Sequence, residues 1–370
     1  MTYCELVPEN LKEIFKCYKH LHFTDEWISQ LENSLSCFSV SLNGPHVHAN
    51  SPTLSKTKTS PVTAYALSHE GFFLLRGVLS EKTLDDLLTA SLSDWVRWPS
   101  KASNVDADVP ADEDIWSSSI LELKNGHIWD QTFMGKLRWI TLGYHYQWGD
   151  RCYLESMRGK FPDLLANAST EILQFLERHL ADEKLPIICD KTKPTELFKN
   201  FSPEAAIVNY YRKKTVMGFH TDEVEFEKRA PLISISLGPA AIYLLELSEP
   251  IVPNQSLPHM IHGSGDNIHS TTVLPMVLHH GDVVVMSGPS RLAKHAVPSV
   301  LFNIDNAVIT SVGTRVAKRL YENGEQNWSD DMPYDSFSKL IVDYVHSTRV
   351  NMNVRQVVPS GRRFSDFQRS

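Results

Sequence analysis

One residue pair in this chain has the type and spacing to hold a metal ion. In His220-Thr221-Asp222, an extended backbone with its side-chain period of two puts an imidazole and a carboxylate on one face, where they can share a cation. Alone the pair is weak, because a surface strand edge gives it by chance in a chain with 16 histidines. A later residue strengthens it. His295 follows the strand-and-turn unit His280-Gly281-Asp282-Val283-Val284-Val285-Met286 and would complete two histidines and one carboxylate on one face of a metal, leaving three positions open. That set suits non-haem Fe(II), which needs room for a co-substrate and oxygen, whereas structural zinc would take a fourth protein ligand.

A second constellation lies near the C-terminus. Along Arg349-Val350-Asn351-Met352-Asn353-Val354-Arg355, strand alternation directs Arg349, Asn351, Asn353 and Arg355 to one face. Buried arginines need anions, and a planar guanidinium holds a carboxylate by paired hydrogen bonds, so a dicarboxylate co-substrate is a natural occupant. On these residues alone, two arginines on a solvated face remain the alternative.

The elements that must position these groups follow from periodicity. Leu11, Ile14, Phe15, Tyr18 and Leu21 fall at helical spacing after Pro8, which suits a first helical position, so residues 8–22 are expected to be an amphipathic helix, with a second after Thr24. Residues 43–63, rich in Ser, Thr, Pro and Lys, read as a flexible loop in which His46 and His48 are solvated. Residues 71–79 read as a strand, and Ser80 caps a helix with Leu84, Leu87, Leu88, Leu92 and Trp95 on one face. Residues 99–114 form an acidic loop. Beyond Leu137 short apolar runs dominate, at 139–146, 205–211, 232–237, 241–247, 273–278, 283–286 and 350–358, broken by Gly, Pro and Asp. Many short strands after a helical start predict a β-sandwich or barrel with helices outside.

Composition bounds the partners. At 370 residues with 42% hydrophobic and 22% charged side chains, the chain is ordinary globular protein with ample length for a core. Thirty-six basic against 44 acidic residues give a net charge of −8, so the chain is no generic polyanion binder and any nucleic-acid contact must be local. The cysteines, Cys4, Cys17, Cys37, Cys152 and Cys189, are odd in number and widely spaced, which favours a reducing compartment. With no membrane-length apolar run and no signal-peptide pattern, the expected location is intracellular, nucleus or cytoplasm ahead of mitochondrion. The chain is expected to be monomeric.

Several ordered motifs carry a resemblance. These are 137–146 (Leu-Arg-Trp-Ile-Thr-Leu-Gly-Tyr-His-Tyr), Asn209-Tyr210-Tyr211-Arg212, the His220–Asp222 pair, 231–238 (Pro-Leu-Ile-Ser-Ile-Ser-Leu-Gly), the run from Gly281-Asp282 to Gly288, Ser290-Arg291-Leu292 with His295-Ala296-Val297-Pro298, and 349–357. Together they make the chain similar to the AlkB-like Fe(II)- and 2-oxoglutarate-dependent dioxygenases, most closely the eukaryotic AlkB homologue 1 group, over residues 66–358. The resemblance implies an α+β fold, a double-stranded β-helix (jelly-roll) core with flanking N-terminal helices. In it, residues 1–65 are a helical extension with a loop, 248–272 and 299–348 are insertions, the latter with a helix near Tyr334 to His346, and 359–370 are a tail.

Residue by residue, the resemblance makes His220, Asp222 and His295 the Fe(II) ligands and assigns Asn209, Tyr211, Arg349, Asn351 and Arg355 to 2-oxoglutarate, with Arg349 on its far carboxylate. It implies that O2 and 2-oxoglutarate are consumed to oxidise an N-methyl group on a base in nucleic acid, releasing formaldehyde, succinate and CO2. N1-methyladenine in tRNA is favoured over methylated DNA bases. Tyr144, His145, Tyr146 and Trp148 form an aromatic cluster that suits either core or a base platform, and Arg212-Lys213-Lys214 and Arg291 with Lys294 are local basic groups. The chain departs from the pattern at 248–272, where His259, His262 and His269 read as a polar surface loop. It departs again at Val224, where many repair-type members carry a polar residue beside the target base. The alternatives are a dioxygenase of the same fold acting on a protein side chain such as methyl-lysine, and a binding module whose metal site is unused.

Overall fold

The alternation along the strands becomes two antiparallel sheets that face each other. The computed structural model describes residues 10–42, 61–67, 71–98, 101–181, 198, 200–247, 261–262, 272–323 and 332–367. The larger sheet contains β1 (Ser39–Leu42), β2 (Val62–Leu67), β3 (Phe72–Arg76), β4 (Ala102–Ser103) and β5 (Trp139–Gly143). After a small hairpin of β6 (Tyr146–Gln147) and β7 (Cys152–Tyr153) comes β8 (Ala205–Tyr211), and after β9 (Met217–His220) comes β10 (Leu232–Leu237). Then follow β11 (Ala240–Leu247), β12 (Ile261–His262), β13 (Thr272–Leu278), β14 (Val283–Met286), β15 (His295–Leu301) and β16 (Arg349–Arg355). Strand order is β1-β2-β3-β14-β10-β16-β8-β5-β4 in the larger sheet and β12-β13-β11-β15-β9 in the smaller one. This is the jelly-roll core that the family resemblance implies, and a case of the β-sandwich or barrel expected from the short strands.

The larger sheet sorts its side chains by parity. On β16, Val350, Met352 and Val354 join Ala206, Val208 and Tyr210 of β8 and Ile233, Ile235 and Leu237 of β10 in the core beneath the outer helices. The alternate residues face the space between the sheets, where Leu74, Tyr211, Leu232, Tyr243, Leu245, Met276, Met286 and Val297 form an inner apolar cluster. Each fully buried large apolar side chain contributes roughly 1.5–3 kcal/mol, so both faces of the sheet are anchored and a one-residue slip would be very costly.

Two helices cover the outside of the smaller sheet. Helix α1 (Leu11–His20) and helix α2 (Asp25–Leu35) lay Ile14, Tyr18, Ile28 and Leu31 on Ile242, Leu244, Val273, Val277 and Ala296. The expected helix over 8–22 is shorter at both ends. Asn10, not Pro8, begins it, because the Asn10 side chain accepts from the amides of Lys12 and Glu13 at 3.1 and 3.2 Å. Residue 8 lies outside the described residues, as do 43–60 with His46 and His48, and 248–260 and 263–271 with His259 and His269. The expected loop ends earlier than 63, since Val62 and Thr63 pair with β1 and β3.

Helix α3 (Glu81–Leu92) starts as expected, with the Ser80 hydroxyl accepting from the Thr83 amide at 3.1 Å. It breaks at Ser93, and Trp95 belongs to a separate turn, Asp94–Arg97. Among the described residues of 299–348 there are two helices, Asn306–Glu322 and Tyr334–Ser347. They cross at Gly313, where an added Cβ would come within 3.0 Å of the Val342 Cα. Arg315 and Arg319 of the first helix pair with Asp85 on α3.

A polar staple joins α2 to this region. His279 bonds Glu32 at 2.8 Å and Asp305 at 2.5 Å, while Arg76 pairs with Glu32 at 2.8 Å and with Asp282 at 3.2 Å. The bond from His279, acting against burial and with the Arg76 charge, lowers the Glu32 carboxyl to about 2. Burial pulls the His279 imidazolium down, but Glu32, Asp282 and Asp305 outweigh it and leave its pKa raised. A raised imidazole stabilises fully below its ordinary 6.5 and loses that contribution as pH rises through the folded value. A lowered carboxyl stabilises above its ordinary 4.5 and loses it as pH falls toward about 2. Buried Asp282, raised by burial, works against the ionised state. The difference in thermal stability between the wild type and His279→Gln should therefore be widest between about pH 4.5 and 6.5 and narrow above it. A gap that widened toward pH 9 would remove the charged bridge from the account.

Candidate active site

The eight residues singled out from the sequence, Asn209, Tyr211, His220, Asp222, His295, Arg349, Asn351 and Arg355, all line one cavity of about 290 Å³ between the sheets. Strand register brings them together. β15 pairs with β9 so that His295 lies opposite His220, and β16 pairs with β8 so that Arg349 lies opposite Tyr211 and Asn351 opposite Asn209.

One ligand atom from each of His220, Asp222 and His295 lies within 4.8 Å of the others, and the His295 Nε2 is 3.7 Å from an Asp222 carboxylate oxygen. Both rings are oriented through their other nitrogen. His220 Nδ1–H donates to the Gly218 carbonyl at 2.9 Å and His295 Nδ1–H to the Ala293 carbonyl at 3.2 Å, which leaves each Nε2 lone pair for a ligand. Burial, with His220 beside it, lowers His295 to about 4 and keeps it neutral. Burial raises the Asp222 carboxyl, but Arg355, His295, His220 and Arg291 hold it far below the usual carboxylate range. Two donors grip that carboxylate, Arg355 at 2.8 Å and the Asn353 amide at 3.0 Å. Two imidazoles and one carboxylate are the donor set that a divalent iron with open positions takes.

Arg349 is 1% exposed and lies at the far end of the polar strand face. Its terminal nitrogens donate to the Pro239 carbonyl at 3.0 Å and the Ser236 hydroxyl at 2.7 Å. Burial lowers its pKa to about 10, so it is a cation at neutral pH. No carboxylate is bonded to it among the described residues. Arg349 Nε, Arg355 Nε and Asn353 Oδ1 are buried without a hydrogen-bond partner there. Buried polar atoms are normally satisfied, so the two orphan guanidinium N–H donors fit an anionic co-substrate in the cavity. Asn351 donates to the Ser234 hydroxyl at 2.7 Å, and burial raises the Tyr211 phenol to about 12.

The profile of the 2OG-Fe(II) oxygenase superfamily matches residues 71–355. The chain belongs to that superfamily. Its members use Fe(II), 2-oxoglutarate and O2, and the His-Asp-His set sits inside the matched region. Among curated relatives, "Nucleic acid dioxygenase ALKBH1" of Mus musculus is 31% identical over 241 residues, covering 63% of this chain and 49% of that protein. "tRNA demethylase abh1" of Schizosaccharomyces pombe is 30% identical over 233 residues, 62% and 56% of the two chains. "DNA N(6)-methyladenine demethylase ALKBH1A" of Arabidopsis thaliana is 29% identical over 223 residues, 60% and 49%. The chain spans about half the length of these relatives.

In this 2OG-Fe(II) oxygenase, the expected basic groups divide. Arg212 is buried, bonded to Asp130 at 2.6 Å and Thr348 at 2.8 Å, and Arg291 is buried on Glu225 and the Asp222 carbonyl. Neither offers itself to a phosphate, and each is held by an acid distant in sequence. Lys213 and Lys214 are exposed in the turn between pocket-lining β8 and β9. The aromatic cluster divides as well. Tyr144 is core, 3% exposed and stacked on Phe364, whereas Tyr146 and Trp148 line the cavity, Trp148 at 44% exposure and 3.9 Å between ring centroids from Trp139. Asn353 was legible on the polar face of β16 but fell outside the expected co-substrate set. Its bond to Asp222 places it with the triad. Among the described residues no helix is long and apolar enough to cross a membrane.

Proposed function

We propose that this protein is an Fe(II)- and 2-oxoglutarate-dependent dioxygenase that removes N-methyl groups from bases in nucleic acid, with N1-methyladenine in tRNA ahead of methylated DNA bases. One observation carries the reading. A single cavity holds the two-histidine, one-carboxylate set, an anion-ready arginine and an aromatic wall at Tyr146 and Trp148. The nucleic-acid substrate is further supported by the activities for which the relatives are named.

In this reading His220, Asp222 and His295 hold the iron, and Arg349 takes the far carboxylate of 2-oxoglutarate, with Asn209, Tyr211, Asn351 and Arg355 around it. Bound there, iron and 2-oxoglutarate supply the activation of O2 and hydroxylation of the N-methyl group, whose product sheds formaldehyde while 2-oxoglutarate becomes succinate and CO2. The chain's own work is orientation and exclusion of water. The Gly218 and Ala293 carbonyls fix the imidazoles, Arg355 and Asn353 fix the Asp222 carboxylate, and Ser236 with the Pro239 carbonyl aims Arg349. A target base must leave its stack to reach this depth, and Tyr146 and Trp148 offer a π-face at the cavity wall. Val224 also lines the wall and presents no polar atom to a base edge there.

A chain at −8 must concentrate its phosphate contacts. Lys213 and Lys214 supply them in this reading. Binding of a methylated tRNA stem-loop should weaken as salt rises, and replacing both lysines by Ala should flatten the log–log slope by about 0.7 per lysine on single-stranded contacts. A wild-type affinity indifferent to salt would remove nucleic acid as the substrate and favour a protein side chain.

A further inference from the structure

We propose that Glu225 is a positioning residue for the metal centre, setting the charge and orientation of Asp222 through Arg291 and Arg355. The inference rests on the assignment of Asp222 as a metal ligand. Glu225 is 1% exposed and does not line the cavity, so it touches neither substrate nor co-substrate. One carboxylate oxygen accepts from Arg355 at 3.2 Å and from the Tyr153 hydroxyl at 2.8 Å; the other accepts from Arg291 at 3.1 Å.

Each of these guanidiniums has a second arm on Asp222. Arg355 donates to its carboxylate at 2.8 Å, and Arg291 donates to its backbone carbonyl at 2.5 Å. Arg291 Nε also holds the Ala230 carbonyl at 2.9 Å. The four groups close a ring of two acids and two guanidiniums with no net charge. That balance matters beside a dication. With Gln at position 225, Asp222 would be left as the one acid facing both guanidiniums, Arg355 on its carboxylate and Arg291 on its backbone carbonyl, and their surplus positive charge would draw on that carboxylate and repel the metal. Arg355 is the partner one step out from the ligand, a place where changes typically alter metal affinity about 10–100-fold, and Glu225 acts on the metal by setting Arg355. Tyr153 extends the same network to β7, in the hairpin whose β6 carries cavity-lining Tyr146, so Glu225 also ties the aromatic wall to the ligand set. Nothing in the sequence marks Glu225, because Arg291 and Arg355 reach it from 66 and 130 positions away.

The test is equilibrium binding of Mn(II) alone to the full chain, read by the electron spin resonance of the free ion, alongside thermal melting. Glu225→Gln should loosen Mn(II) by about 10–100-fold. Glu225→Gln with Arg291→Gln restores the charge balance and should bind Mn(II) more tightly than Glu225→Gln alone, despite melting lower. A merely structural role predicts that affinity follows melting temperature, and a double variant no tighter than the single one overturns the proposal. So does a Glu225→Gln protein with wild-type affinity. If Glu225→Gln alone does not fold, the double variant decides: Mn(II) binding within about tenfold of wild type supports the charge role, and looser binding overturns it. Asp222→Ala separates the two levels of the account. Loss of Mn(II) there with retention in Glu225→Gln removes only the role of Glu225, whereas retention in Asp222→Ala removes the metal assignment itself.

Discussion

Asp222→Ala is expected to lose divalent-metal binding by well over about 100-fold and turnover with it, since deleting a ligand exceeds the effect of disturbing a ligand's partner. The fold should survive at a lower melting temperature. Removing one member of a buried ion pair costs on the order of 3–5 kcal/mol when the other is left alone. Arg355 is not left alone, because Glu225 and the Tyr153 hydroxyl still hold it at 3.2 and 3.3 Å. Mn(II) titration with a thermal melt on the same sample checks both halves. Wild-type metal affinity in a folded Asp222→Ala protein would place the metal elsewhere.

Arg349→Ala should act on 2-oxoglutarate and leave the metal bound. Truncating one side of a buried charge-assisted pair costs on the order of 2–5 kcal/mol, which is about thirtyfold or more in affinity. Arg349 is 1% exposed and its Nε has no partner among the described residues, so a carboxylate held there would be fully desolvated. Arg349→Lys keeps the charge but loses the planar pair of donors and should recover only part of the loss. Titration of 2-oxoglutarate into the Mn(II)-loaded protein reads the effect directly; an unchanged constant in Arg349→Ala would move the dicarboxylate pocket away from β16.

What could be read in the sequence was local. The polar face of β16 stood out because Arg349, Asn351, Asn353 and Arg355 alternate with Val and Met, and the structure buries those apolar residues against the outer helices. His220 and Asp222 were picked out through the strand period, yet β9 ends at His220 and Asp222 lies in the irregular segment just past it; the meeting of His220 with His295 depends on the pairing of β9 with β15, a long-range register that no local pattern encodes. For Asn209 and Tyr211 strand alternation was the only local sign and the family resemblance decided, and it is their pairing with Asn351 and Arg349 that brings them to the cavity. The same blindness to long-range partners explains the errors. Arg212 looked like a surface cation beside two lysines, yet Asp130, 82 positions earlier, draws it inside. Tyr144 looked like part of one aromatic cluster, but the strand ends at Gly143, and the chain then turns its ring onto Phe364 while Tyr146 goes to the cavity.

Succinate release tests the central claim most directly. The wild-type chain with Fe(II), 2-oxoglutarate and O2 is given an RNA stem-loop carrying N1-methyladenine, the same stem-loop without the methyl group, or a methyl-lysine peptide. The account predicts that the methylated RNA raises succinate well above the other two, with formaldehyde released in equal amount and both products absent in Asp222→Ala. Succinate stimulated by the peptide and not by the RNA, or no stimulated succinate from a folded, metal-loaded protein, would contradict it.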